Sequence, residues 1–186
     1  AYYLFKSPVG WEIMDGELTL LKPETKSLHR FIDTPTMVAT YSPAGIVEGE
    51  VIHVGEGMSP KSFKKARGRI VLAYGRPEAV YRLAVKMGAT AVIFYDKRLT
   101  PLDAVPYKRL PIYKSDVERG DLIPAVTASQ RTAQQLISIL ERGDKPVVRI
   151  RVESEYRMDA VIPVVSSFMD GEGEEEVWLT AHLCHP

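Results

Sequence analysis

The stretch from Arg69 to Asp96, RIVLAYGRPEAVYRLAVKMGATAVIFYD, limits the possible folds more than any other part of the chain. Arg69 to Tyr74 is a short apolar, β-branched run, the composition of a buried strand. Gly75 interrupts it, and Pro77 suits the first position of a helix, where a missing N–H costs nothing. Ala79, Val80, Leu83, Ala84 and Met87 then recur at helical spacing, an apolar stripe along one face. Gly88 closes the helix, and Ala91 to Tyr95 forms the next strand. Strand, helix and strand in so short a span form a parallel pair joined by a right-handed crossover. The expected class is α/β, with α+β as the variant, built on a βαβ core within a mixed β-sheet.

The flanks read mainly as strands. WEIM and ELTLL on either side of Asp15-Gly16 predict a hairpin with a tight turn. Thr36 to Tyr41 is a third strand-like run, and Ile46 to Val54 a fourth, with Gly49 as a bulge. Past Asp96 the chain turns polar and is punctuated by Pro101, Pro106 and Pro111. Ile123 to Thr127 predicts a short strand. Ser129 caps a helix from Gln130 to Arg142, with Ala133, Leu136, Ile137 and Leu140 facing inward. Segments 146–152, 159–169 and 176–181 read as consecutive strands, and the acidic run Glu172 to Glu176 as an exposed loop between two of them.

Charge removes several functional classes. The chain has 24 basic and 24 acidic residues, a formal net charge of +0. That balance argues against binding nucleic acid or an anionic membrane through bulk charge. No apolar run approaches the length of a membrane span. A single cysteine forms no disulfide within the chain, so nothing demands an oxidising compartment, and the cytoplasm is favoured over an otherwise open choice. Gly55-Glu56-Gly57 resembles a phosphate-binding turn, but the third glycine of the fingerprint falls at Pro60, so the motif fails. Lys61 to Arg69 is basic and reads as a solvated helix face, and Asp96 as a turn residue.

The ending, EVWLTAHLCHP, carries the densest chemistry. His182 falls at the carboxyl end of a strand, where open α/β sheets place their ligand residues. His182 and His185 are spaced for a helix face rather than a strand face, and Pro186 disfavours helix at His185. His182 is therefore the single candidate metal ligand, with Cys184 and His185 as uncertain neighbours. The alternative is a strand-end histidine that binds no metal, and a lone cysteine serving as a small buried hydrophobe.

GRIVLAYGRPEAVYRLAVKMGATAVIFYD, with YSPAGIVEGEVIHVGEG before it and IPAVTASQRTAQQLISIL after it, resembles a protease-associated domain. DAVIPVVSSFMDGEGEEEVWLTAH is similar to the opening strands of zinc-dependent aminopeptidases of the co-catalytic two-metal type. The resemblance implies that His182 is the first metal ligand. The chain departs from the family's Ala-His-x-Asp pattern by carrying Cys184 at the aspartate position. A divergent branch has His-x-Cys-His-Pro there, and GWEIMDG near the N-terminus resembles that branch too. The implied organisation is a peptidase flank at residues 1–35, a protease-associated domain at 36–145 and the first strands of a truncated zinc-peptidase domain at 146–186. Two-metal hydrolysis needs a water held between metals about 3.5–4 Å apart and a carboxylate to take its proton. One histidine does not supply that, so no complete catalytic set and no bound zinc are expected in this chain alone.

The expected function is therefore that of an N-terminal portion of a zinc aminopeptidase-like hydrolase. Its protease-associated domain would shape the access of a peptide substrate or bind a protein partner. A free-standing peptide- or protein-binding module is the competing reading. A small-molecule-binding domain using the Gly55–Gly57 turn stands third.

Overall fold

The computed structural model describes residues 1–7, 9–171, 173 and 177–181. Nine strands and three α-helices are found among them, in the order β1 (Tyr2–Lys6), β2 (Gly10–Lys22), β3 (Lys26–Arg30), β4 (Gly45–Gly55), β5 (Ile70–Ala73), α1 (Pro77–Lys86), β6 (Ala91–Phe94), α2 (Lys114–Arg119), β7 (Ala125–Thr127), α3 (Gln130–Glu141), β8 (Val147–Arg157) and β9 (Val161–Val165).

The βαβ unit forms as its sequence dictates. β5 and β6 pair in parallel from Ile70↔Ala91 to Ala73↔Phe94, with α1 between them in sequence. Every residue of both strands is buried, which is why the sequence shows continuous apolar runs there instead of alternation. The unit extends into a seven-stranded mixed sheet of order β3-β2-β8-β4-β5-β6-β7, an α/β arrangement. β4 to β7 are parallel neighbours, while β8 runs antiparallel to both β2 and β4.

Alternation along the strands divides the core into two layers. Ile70, Leu72 and Ile93 lie with Ala133, Leu136 and Ile139 of α3 on one face. Val71, Ala73, Val92 and Phe94 lie with Val80, Tyr81 and Ala84 of α1 on the other. The buried face of α1 includes Tyr81, outside the expected aliphatic stripe. Its hydroxyl donates to the Ile123 carbonyl at 3.0 Å, which satisfies the one polar atom the ring carries inward. Ser129 caps α3 as expected by accepting from the Thr132 N–H. The helix is turned slightly from the expected stripe, burying Thr132 and Ile139 and leaving Ile137 and Leu140 only partly covered.

Several sequence expectations are corrected. Asp15-Gly16 makes no hairpin: β2 runs straight through it, because β8 offers a partner along the whole length. The register shifts once between Ile13 and Asp15, and a Cβ on Gly16 would fall 2.4 Å from a Val38 methyl. The real hairpin turn follows at Lys22 to Thr25, between β2 and β3. Residues 36–41 form no strand: Pro35–Met37 is a 3-10 turn, and Val38 and Thr40 make only isolated bridges. Gly49 is no bulge, since it pairs with Val148 in unbroken register. The basic run after Pro60 is a short 3-10 turn that buries Phe63, not a solvated α-helix.

α2 has no counterpart in the sequence reading. Asp116, buried in its first turn, accepts from the Tyr113 N–H at 2.9 Å and from both Arg82 terminal nitrogens at 2.9 and 3.2 Å, with Arg119 adding a further ion pair. These interactions, the Arg82 hydrogen bond foremost, hold its carboxyl down at about 2. Its folded value lies below the ordinary 3.8, so its contribution is present above that pH and is lost as pH falls through about 2. Acid titration followed by circular dichroism should show stability falling across that window. The Asp116→Asn variant should lose this dependence and be less stable at neutral pH.

Candidate functional site

His182, Cys184 and His185 lie outside the described residues. The strand expected at 176–181 does not form over its described part: Val177 to Ala181 carry no ladder hydrogen bonds, and Val177, Trp178 and Leu179 are exposed. A strand requires a neighbour, and among the described residues no segment lies beside this one. Among them there is also no group of three or more His, Cys, Asp or Glu side chains able to hold a metal ion.

β9 is not the next strand of the large sheet after β8, as consecutive strands would be. It pairs with β1 in a separate antiparallel ribbon, from Tyr2↔Val165 to Lys6↔Val161. The ribbon closes at the Ser7 N–H to Ala160 carbonyl bond of 2.8 Å, beside the point where the chain enters β2 and leaves β8. Its composition is that of an interior strand pair. Tyr2, Tyr3 and Phe5 pair with Val165, Val164 and Ile162, Leu4 with Pro163 and Lys6 with Val161, and Tyr2 to Phe5, Val161, Ile162, Val164 and Val165 are all exposed. Side chains alternate between faces, so the ribbon is apolar on both sides. Two isolated strands are marginal in water, and apolar area of this extent marks a surface meant to be covered.

A second constellation sits where the parallel strands end. β4, β5 and β6 deliver Glu56, Tyr74-Gly75-Arg76 and Asp96-Lys97-Arg98 to a common edge, and Lys108 joins them from the long loop. Together they line a depression of about 390 Å³ at the carboxyl edge of the sheet. Close approach shapes its floor: a Cβ on Gly75 would lie 1.8 Å from the Glu56 carbonyl oxygen. Three aromatic rings stand beside it. The Tyr95 hydroxyl and His53 Nε2 share a hydrogen bond of 3.0 Å, and Tyr74 meets Tyr95 edge-on at 5.6 Å. Loss of water around these rings lowers the His53 pKa, and burial, with Tyr74 adding to it, pushes the Tyr95 hydroxyl up to about 12. Asp96 and the Gly55–Gly57 turn lie about forty residues apart, and no sequence signal brings them to one place. Arg76, Lys97 and Lys108 carried no spacing signal at all.

No family model matches the chain, and no curated protein is significantly similar to it. Solved structures do share its fold. An aminopeptidase from an Aneurinibacillus species superposes with a TM-score of 0.62 at 22% identity, over 87% of this chain and 35% of its own. A peptidase precursor from Shewanella amazonensis gives 0.65 at 14%, over 88% and 39%. A zinc aminopeptidase from Bacillus subtilis gives 0.59 at 16%, over 88% and 35%. The chain spans little more than a third of the length of these proteins. At such identities the likeness is one of architecture: this chain has the fold of one part of aminopeptidase-like peptidases.

Proposed function

We propose that the chain is an N-terminal portion of a zinc-dependent aminopeptidase-like hydrolase. In this reading the seven-stranded unit is a protease-associated domain that shapes the approach of peptide substrate to a cleft formed elsewhere. The carrying observation is the β1–β9 ribbon, whose apolar residues are exposed on both faces. Such a ribbon belongs inside a larger sheet, and the solved peptidases with this fold are more than twice the length of this chain.

The ribbon also suggests where the domains divide. β2, β3 and β8 hydrogen-bond into the same sheet as β4 to β7, which supports boundaries outside those strands in place of residues 36 and 145. We place the protease-associated domain at residues 10–157, and assign β1, β9 and everything after β9 to the peptidase body. His182 is then proposed as the first zinc ligand, on a segment that follows β9, with Cys184 and His185 as its neighbours. Catalysis in this reading belongs to the assembled enzyme, since one histidine does not supply a two-metal site. The chain of residues 1–186 alone should not release p-nitroaniline from leucine p-nitroanilide in the presence of zinc. Hydrolysis by it, abolished by His182→Ala, would overturn that assignment.

The competing reading is a free-standing peptide- or protein-binding module. It leaves the apolar ribbon without a cover of its own. If the gene's reading frame ends at Pro186 and the purified chain stays monomeric, that reading displaces ours.

A further inference from the structure

We propose that the depression at the carboxyl edge of β4, β5 and β6 is a binding site for a dianionic oxyanion, a phosphate monoester being the fitting class. The inference is independent of the peptidase reading, and the cations that carry it belong to no expected site.

Charge is the first argument. Arg76, Lys97, Arg98 and Lys108 line the depression, against Glu56 and Asp96 only. The whole chain is neutral, so a local surplus of two positive charges is a concentration, not a background. A phosphate monoester carries about −1.5 to −2 near neutral pH and cancels that surplus, whereas a single carboxylate leaves half of it.

Pairing is the second. Elsewhere on the protein Arg30, Arg82, Arg131 and Arg149 hydrogen-bond carboxylates at 2.7, 2.9, 2.5 and 2.6 Å. Around the depression none of the four cationic heads does so with a described residue. Among the described residues Arg76 and Lys97 have no carboxylate within 4.0 Å, and the side chains of Arg98 and Lys108 approach Asp96 only to 4.0 Å each. That distance leaves their donors unused. The Asp96 carboxylate instead accepts from the Arg98 backbone N–H at 2.9 Å.

Placement is the third. The Lys97 ammonium rests 4.2 Å from the centre of the Tyr74 ring, which holds it at the wall. The Lys108 side chain is only 17% exposed, so its charge acts where water screens it less. The volume of about 390 Å³ lies within the range of small-molecule sites and exceeds what a bare ion needs. That leaves room for an ester, its phosphate among the cations and its organic part against Tyr74 and Pro77.

The test is a titration of the isotope-labelled chain with methyl phosphate, inorganic phosphate and acetate at fixed ionic strength, followed by amide NMR. Both phosphates should give saturable shifts at Gly75, Arg76, Lys97 and Arg98, with acetate binding about tenfold or more weakly. Lowering the pH from about 7.5 to about 5.5 should weaken methyl phosphate binding several-fold, as the ester dianion is protonated with a pKa near 6. Arg76→Gln and Lys108→Gln should each weaken it by about tenfold. Arg76 is exposed, so its variant keeps the test decisive even where Lys108→Gln disturbs the fold. Shifts that do not saturate, acetate binding as tightly as phosphate, or affinity unchanged in Arg76→Gln would each overturn the proposal.

Discussion

Gly75→Ala should be the most destabilising glycine substitution in the sheet. A methyl group there would sit 1.8 Å from the Glu56 carbonyl oxygen and 3.1 Å from a Val80 methyl, and a backbone carbonyl cannot swing aside as a side-chain tip can. The clash would force β4 and the start of α1 apart at the junction that closes both core layers. The loss is expected at about 3 kcal/mol or more, the upper end for forced overpacking. Gly120→Ala is the control. It has nothing within 4 Å of the new carbon but a φ of +74, so it pays only for a left-handed backbone, about 1–2 kcal/mol. Urea denaturation of the two variants should place Gly75→Ala well below Gly120→Ala in midpoint. Equal midpoints would show that close packing at Gly75 is not what holds the junction.

Ile150→Ala should lower stability by about 2–5 kcal/mol and should do so for the whole seven-stranded unit at once. Ile150 is fully buried on β8, opposite Leu18 of β2 on one side and Val47 of β4 on the other. It therefore joins the antiparallel flank to the parallel βαβ half. Trp11 reports on β2, while far-ultraviolet dichroism reports mainly on α1 and α3. In the variant the two transitions should shift together and coincide. A dichroism midpoint that stays in place while the fluorescence midpoint falls would restore a division near residue 145.

What the sequence made legible follows from how local each signal is. The βαβ core was readable because strand, cap, stripe and closing glycine all lie between Arg69 and Asp96. β2 was misread because Asp15-Gly16 is a strong local turn signal, while the strand that overrides it, β8, lies far along the chain. α2 escaped because a six-residue helix has no room for a stripe, and its main anchor, Arg82, comes from another element. The ribbon was half legible: residues 159–169 read as apolar strand, but only the structure pairs Val161–Val165 with Tyr2–Lys6. The cationic depression left no motif, since Arg76, Lys97, Arg98 and Lys108 come from three separate segments and meet only where parallel strands end together. His182, Cys184 and His185 rest on the sequence argument and on family resemblance.

The most direct measurement of the central claim is hydrolysis of leucine p-nitroanilide by the product of the gene's complete reading frame, with and without zinc and with His182→Ala. Release of p-nitroaniline should disappear on chelation, return with zinc and fall to background in the variant, which has lost a group that holds the catalytic metal. A full-length protein that folds, binds zinc and hydrolyses the substrate unchanged after His182→Ala would contradict the ligand assignment. One that folds but never hydrolyses aminoacyl substrates would contradict the function itself.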